Sequence, residues 1–374
     1  MSHSIESLKI MRDELNSFPH NKSIIEWKDQ GKKAIGWVCN YVPEEIVYAA
    51  GMLPIRIMSK ETTISEGDDY LQSNMCPYIR GCLGLALDKQ YDYLDGIIVA
   101  HCCDAVCRLF DNWRLYIEPK YSFMLDHPHK ITDTAQKYHF KLLQNLKESL
   151  EKFSGIEITD NSLKNAIEIY NENRELLKQI HNHLKNDKSP LSAIEISEII
   201  RSSMIMPKDQ HNKLLKELIK DIDNIENQPK SQPRLMISGS IIDNTSFFQL
   251  IEECGAEVVT DDLCTGTRYF WDNINNGGNP LNDISVRYLN MAPCACIEPP
   301  YARFEYMFNM IEDYKVDGVI LYGLMYCDTF QYDFVGQKNR LKEKNIPVIE
   351  VELEHPSSGL GQLRTRIQAF LEML

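Results

Sequence analysis

One sequence pattern occurs twice in this chain, and it dictates most of what the chain can become. Tyr91 to Asp104 reads YDYLDGIIVAHCCD, and Tyr314 to Asp328 reads YKVDGVILYGLMYCD. Each is an Asp-Gly turn, then a run of β-branched and apolar residues, then Cys-Asp. Matching tails follow: YSFMLDHP ends at Pro128 and PVIEVELEHP ends at Pro356. The duplication predicts one α/β unit used twice, presenting a thiol at the carboxyl end of an equivalent strand each time. In open α/β sheets that edge is where ligands bind.

The surrounding sequence extends the repeat into a fold class. Around the first copy, Ala34 to Cys39 (AIGWVC) is a buried-strand run. Pro43 opens a helix whose Glu44 and Glu45 suit the positive end of the helix dipole, and Gly51 ends it. LPIRIM is a second strand, and a helix spans about Pro77 to Leu87 before the strand DGIIVAHC. This β-α-β-α-β order means a parallel sheet with right-handed crossovers. Around the second copy, RLMISGS, AEVVTDD, VDGVILYG and PVIEVEL read as strands. Helices at Asn244 to Cys254, Asp333 to Lys344 and Gly361 to Leu374 alternate with them.

The segment between the copies is helical. Asp133 to Phe153 and Asn161 to Leu184 carry apolar residues at three- and four-residue spacing, among them Leu142, Leu146, Leu150, Leu163, Ile167 and Leu177. Packing and contact between protomers are its expected roles, with His181 and His183 as exposed helix residues. QPKSQP, from Gln228 to Pro233, reads as a linker. The expected architecture is α/β: two similar parallel-sheet, flavodoxin-like domains plus a helical segment. The expected boundaries are 1–130, 131–229 and 230–374, with the α/β domains facing each other across a cleft.

Charge and cysteine usage narrow the chemistry. A formal net charge of −14 argues against nucleic acid as the main partner, because phosphate binding needs a basic face. No apolar run reaches the roughly 18 residues of a membrane span, and the first residues lack a signal peptide's apolar core. A cytoplasmic protein is expected, with no membrane partner. Eleven cysteines are then free thiols in a reducing compartment: buried hydrophobes, catalytic groups or metal ligands. No CxxC pairs stand at zinc-finger spacing, and the ferredoxin patterns are absent too. Any cluster must be assembled from distant parts of the chain. GxxxxGK[ST], GxGxxG and GxSxG are all absent, so ATP binding by a P-loop, a dinucleotide fingerprint and a serine elbow are not expected.

Three thiols are singled out. Cys76, in SNMCPYIRG, stands at the mouth of a helix, where the positive end of the dipole favours thiolate. Cys103 and Cys327 precede Asp at the ends of the repeated strands. Three thiolates from two domains would hold a [4Fe-4S] cluster in the cleft and leave one iron without a cysteine. Cys264, in DDLCTGTRYF, occupies the place in the second repeat that Cys76 holds in the first, and is a further ligand or a neighbour. Cys102 should point away from Cys103 on an extended strand end. Cys39, Cys82, Cys107, Cys254, Cys294 and Cys296 read as core or loop thiols. His101, Asp104, Asp328, His127 and His355 are the other polar residues at strand ends, with fold-supporting hydrogen bonds as their default role.

With those residues in view, the chain resembles the 2-hydroxyacyl-CoA dehydratase and benzoyl-CoA reductase family over nearly its whole length. The resemblance rests on GWVCNYVPEEIVYAAGMLPIRI, Cys76 before a helix, HCCDAVCRLFDNW, TDDLCTGTRYF and DGVILYGLMYCDTFQYD, all in order. It implies an iron–sulfur subunit of two α/β domains plus helices, working in a homo- or heterodimer with a related subunit. It implies a separate ATP-dependent iron–sulfur activator protein that injects a low-potential electron. The implied activity is dehydration of an (R)-2-hydroxyacyl-CoA thioester to a 2-enoyl-CoA through a ketyl radical. Mapped residue by residue, the family's three cluster cysteines fall on Cys76, Cys103 and Cys327. Some relatives carry a fused double-cubane cluster and reduce small molecules, and the extra thiols Cys102 and Cys264 keep that alternative open beside benzoyl-CoA-type reduction.

Overall fold

The two Asp-Gly turns do the same structural job. In the first, the Asp95 carboxylate accepts the N–H of Ala34 at 2.9 Å, while the Asp95 N–H donates to the Ala34 carbonyl at 2.8 Å. In the second, Asp317 does the same for Arg234, at 2.8 Å in both directions. Each Asp therefore pins the start of its own strand to the start of the neighbouring one. The glycine beside it lets another element close in: a Cβ on Gly96 would meet Tyr121, and one on Gly318 would meet Phe370.

These turns organise a computed structural model described for residues 5–60, 64–187, 189–223, 225, 231–275, 277–354 and 359–374. Eight strands form two four-stranded sheets. The first contains β1 (Ala34–Val38), β2 (Leu53–Arg56), β3 (Gly96–Ala100) and β4 (Tyr121–Leu125), in the order β2-β1-β3-β4. The second contains β5 (Arg234–Gly239), β6 (Glu257–Asp262), β7 (Gly318–Leu324) and β8 (Val348–Leu353), in the order β6-β5-β7-β8. Every pairing is parallel. Three strands of each sheet are buried along their whole length, and only the edge strands β4 and β8 are partly open. That is the burial of parallel sheets covered on both faces, and it explains why the strands read as continuous apolar runs. Two similar α/β units are present, as the repeat requires.

Helix boundaries follow the sequence closely where caps are strong. Pro77–Leu87 carries Pro in its first turn. The helix Asp133–Ser154 is capped by Thr132, whose side chain accepts from the Ala135 N–H, and ends at Gly155 in the left-handed conformation. The helix expected from Asp333 begins five residues earlier, as Asp328–Glu343. The expected linker from Gln228 to Pro233 falls partly outside the described residues, and His355 lies wholly outside them. The helix Glu6–Ser17 packs on the middle helices Ala193–Ser203 and Lys208–Ile222, and Arg12 reaches Glu198 at 2.8 Å.

His181 is not exposed, contrary to its reading from sequence. It is buried where the helix Asp160–His181 meets the second unit, and its Nδ1 lies 2.7 Å from the Tyr314 hydroxyl. Burial pulls its pKa down to about 3; His211 falls to about 3 and His139 to about 4 for the same reason. An unfolded imidazole takes its proton near pH 6.5. Below that pH the unfolded chain binds protons that the folded chain refuses, so stability falls as pH drops from about 6.5 towards 4. Each such imidazole removes about 1.4 kcal/mol per pH unit in that window. Asp261, raised to about 6 by burial, works in the opposite direction. Urea unfolding at pH 7 and pH 5 should show a clear net loss at the lower pH; equal midpoints would contradict it.

Candidate functional site

Each sheet has a switch point, where the chain leaves its two middle strands in opposite directions: between β1 and β3, and between β5 and β7. The residues just past those four strands meet in one cavity of about 670 Å³. Cys39 and Asn40 follow β1, and Cys102 and Cys103 follow β3; Ser240 follows β5, and Cys327 follows β7. The two units thus present their carboxyl edges to a shared space. Its size lies within the range of ligand pockets, roughly 300–1,000 Å³.

Cys76, Cys103 and Cys327 all line this cavity, and they share a local geometry. Each is the N-cap residue of a helix: Pro77–Leu87, Asp104–Asn112 and Asp328–Glu343 respectively. Three positive helix ends therefore converge on the space the three thiols surround, a setting that favours an anionic occupant. The sequence marked the helix mouth at Cys76; at Cys103 and Cys327 it marked strand ends, and the helices that begin at Asp104 and Asp328 are seen in the fold.

Burial works against the helix ends at the free thiols. It pushes the Cys76 thiol well above its ordinary value, and the nearby Cys327 and Cys103 add to this; the Ile79 and Tyr78 N–H groups only partly offset it. The expectation that the helix mouth would lower the Cys76 pKa is thus overturned for the free thiol, because the site is too dry. Cys327 is pushed up to about 11 by burial, with the Ser240 hydroxyl and the Phe330 N–H opposing. Cys103 is lowered, first by hydrogen bonding from Cys102 and then, against burial, by the Val106 and Ala105 N–H groups.

Five further cysteines line the same cavity: Cys39, Cys102, Cys264, Cys294 and Cys296. Only Cys82, Cys107 and Cys254 do not. Cys102 does not turn away from Cys103; its thiol lies within hydrogen-bonding reach of both Cys103 and Cys39. The chain has already left β3 at Ala100, so strand alternation no longer governs it.

Cys39, Cys294 and Cys296 were expected among core or loop thiols; they do lie on loop segments, and those segments line the cavity. Strand register aligns Cys39 with Gly239: Trp37 pairs with Ile98 as Ile237 pairs with Ile320. Both positions have positive φ, 79° at Cys39 and 148° at Gly239. A cysteine held where its structural counterpart is glycine is a strained residue aimed at the site. Tyr326, just before Cys327, has φ 61°. Cys294 and Cys296 arrive on a segment that crosses between the units. The Glu298 N–H donates to the His129 carbonyl at 2.8 Å, and the Cys294 N–H donates to Tyr41 Oη at 3.0 Å.

Among the described residues, no three His, Cys, Asp or Glu side chains converge tightly enough for a single metal ion. One tetrahedral ion with bonds near 2.3 Å would draw its sulfurs to within roughly 4 Å of each other. The thiols around this cavity are a soft donor set, of the kind that binds zinc, copper(I) or iron–sulfur groups.

The remaining strand-end residues divide. Asp104 and Asp328 line the cavity beside their cysteines. His101 stands apart, with Nδ1 2.9 Å from the Asp126 carboxylate, as a fold-supporting bond requires. His127 does not fit that default: neither ring nitrogen has a partner among the described residues. Its buried ring stacks on Tyr41, centroids 4.0 Å apart, and burial keeps it neutral.

Two arginines were not singled out in the sequence. Arg56, on β2, and Arg268, just past Cys264, both line the cavity and are both 2% exposed. Nothing in their local sequence separates them from the other arginines; only the fold brings them to the thiols.

Comparison with known proteins gives these features a context. Residues 39–374 match the family described as 2-hydroxyglutaryl-CoA dehydratase, D-component. The chain is 29% identical over 355 residues to the (R)-phenyllactyl-CoA dehydratase beta subunit of Clostridium sporogenes, covering 94% of this chain and 95% of that one. It is 26% identical over 359 residues to one of the benzoyl-CoA reductase subunits of Thauera aromatica, covering 93% of each. It is 26% identical over 364 residues to the (R)-2-hydroxyglutaryl-CoA dehydratase beta subunit of Acidaminococcus fermentans, covering 94% of this chain and 95% of the relative.

Proposed function

The chain belongs to the 2-hydroxyglutaryl-CoA dehydratase D-component family, and from that premise we propose that it is the iron–sulfur subunit of an (R)-2-hydroxyacyl-CoA dehydratase. The reaction would eliminate water from the thioester to give a 2-enoyl-CoA. The single observation that carries the reading is the arrangement of Cys76, Cys103 and Cys327. They come from both α/β units, each caps a helix, and they surround one cavity at the two switch points. In this reading they hold a [4Fe-4S] cluster, which when bound supplies the low-potential electron that makes an unactivated β-proton removable.

The chain's own residues have definable parts in this. The helix N-termini behind the three thiols stabilise negative charge in the cavity. The Ser240 hydroxyl supports Cys327 from the neighbouring strand end. Ile79, Val106, Phe330 and Met75 line the walls and keep water from the reacting end of a thioester. The electron is expected from a separate ATP-dependent activator, and a related subunit is expected beside this one, as the subunit names of the relatives suggest.

A second reading is favoured by the other five cavity thiols. Cys39, Cys102, Cys264, Cys294 and Cys296 offer ligands enough for a fused double-cubane cluster, and such a site would suit reduction of small molecules. Benzoyl-CoA-type reduction uses similar parts and is supported by the relative from Thauera aromatica.

Anaerobic purification with iron and sulfide analysis separates the cluster types: roughly four irons per chain for one cube, about eight for the fused cluster. The activity test supplies activator, ATP, reductant and the related subunit, with a panel of (R)-2-hydroxyacyl-CoA thioesters beside benzoyl-CoA. Enoyl-CoA should appear. Ring reduction alone, or reduction of small molecules alone, would overturn the dehydratase reading.

A further inference from the structure

Arg56 carries a buried positive charge with no carboxylate paired to it among the described residues. Its Nη1 donates to Asn40 Oδ1 at 2.5 Å, and its guanidinium lies 4.9 Å over the Trp37 ring. Its Nη2 lies 3.5 Å from Cys264 Sγ, and its Nε is buried without a hydrogen-bond partner. Asn40 Nδ2 donates to the Cys264 carbonyl at 2.9 Å, so the same small network fixes Cys264 and the guanidinium together. A buried ion without a counter-charge is costly enough that folds rarely keep one. The cavity that Arg56 lines is where a compensating negative charge can sit.

Arg268 approaches the same thiols from the second unit. Its Nε lies 3.0 Å from Asp262, and its Nη2 donates to the Gly239 carbonyl at 3.2 Å. Its Nη1 is buried and unpartnered. Asp262 is shared with Arg303 at 3.0 Å, and Arg303 is paired in turn with Asp333 at 2.6 Å, so Arg268 keeps one carboxylate on one side while its Nη1 stays free on the other. Arg56 and Arg268 are the two cations acting on Cys264, and Arg268 acts on Cys294 as well.

Resting on the reading that this cavity holds an iron–sulfur cluster, we propose that Arg56 and Arg268 are positioning residues that form a cationic clamp on its Cys264–Cys294 side. The clamp stabilises the more negative, reduced state of the bound group and so raises its midpoint potential. Charge and hydrogen bonding around sulfur are established levers on cluster potentials.

The test is a reductive titration, followed by EPR, of the anaerobically purified, iron-loaded chain and its Arg56→Gln, Arg56→Lys, Arg268→Gln and Arg268→Lys variants. Each Gln variant should titrate at a more negative potential than wild type, and each Lys variant should stay nearer to wild type. Iron lost in a Gln variant but kept in its Lys counterpart also supports the clamp, because the Lys variant keeps the positive charge. Iron lost equally in both overturns it, since side-chain shape rather than charge is then what matters. Gln variants with full iron and an unmoved midpoint overturn it directly. Wild-type protein that binds no iron would instead sink the cluster reading, leaving the two failures distinguishable.

Discussion

Glu45→Ala is expected to destabilise the folded chain by about 3–5 kcal/mol, the range for breaking one side of a buried ion pair. Glu45 is fully buried, and its carboxylate takes the Arg174 guanidinium in a direct ion pair. It also accepts the Tyr288 hydroxyl at 2.7 Å. Beside it, Glu44 accepts the Tyr269 hydroxyl at 2.8 Å and stands 3.7 Å from Lys208 Nζ. The two glutamates begin a short helix of the first unit. Arg174 and Lys208 belong to the middle helices, and Tyr269 and Tyr288 to the second half of the chain. Removing the Glu45 side chain leaves the Arg174 charge buried and unpaired, which is where the cost arises.

Burial alone would raise the Glu45 pKa, but Arg174 and Arg287 outweigh it and hold the carboxyl below its usual value. A depressed carboxyl contributes stability above its unfolded pKa and loses it as pH falls through the folded one. The Glu45→Ala penalty should therefore shrink in acid. Urea unfolding of the single variant and of Glu45→Met/Arg174→Met supplies the check. The double variant should recover much of the loss, because no unpaired charge remains. A single-variant cost below about 1 kcal/mol, the scale of an exposed pair, would show that this junction is not what fixes the two units around the cavity.

The glutamate pair also marks the limit of what the sequence made legible. Their place at a helix start could be read from Pro43 and the dipole rule, but their partners lie more than a hundred residues away in the chain. The strands and the doubled unit were legible for the opposite reason. Asp95 and Asp317 each act within their own repeat, and the fully buried strands show as unbroken apolar runs. Cys76 could be picked out because it precedes the Pro that opens a helix, and Cys103 and Cys327 because each ends a repeated strand before Asp; both signals are local. Cys294 and Cys296 could not, since only the crossing segment tied to His129 brings them to the site. Cys39 looked like the end of a buried strand, and its positive φ is visible only in the fold. His181 stands four residues after Leu177 on the same face as Leu163, Ile167 and Tyr170, so its burial was legible in the periodicity; only its polar ring made it read as exposed.

The cysteines give the other large effect, and they divide the two readings of the site. Cys76→Ala, Cys103→Ala and Cys327→Ala should each lose most of the bound iron from anaerobically purified protein. Each removes a thiol at a helix start on the cavity wall. Cys254→Ala is the control, because that thiol faces the Arg364 carbonyl at 4.0 Å and lies off the cavity; it should keep its iron. Cys294→Ala then decides between cluster types. If one cube sits on the first three thiols, this variant keeps roughly four irons and an unchanged EPR signal. If a fused cluster uses the second set as well, it drops from about eight irons towards half and its spectrum changes. Full iron retention by Cys327→Ala would remove the ligand assignment altogether, since the second unit would then contribute no helix-capping thiol to the cluster.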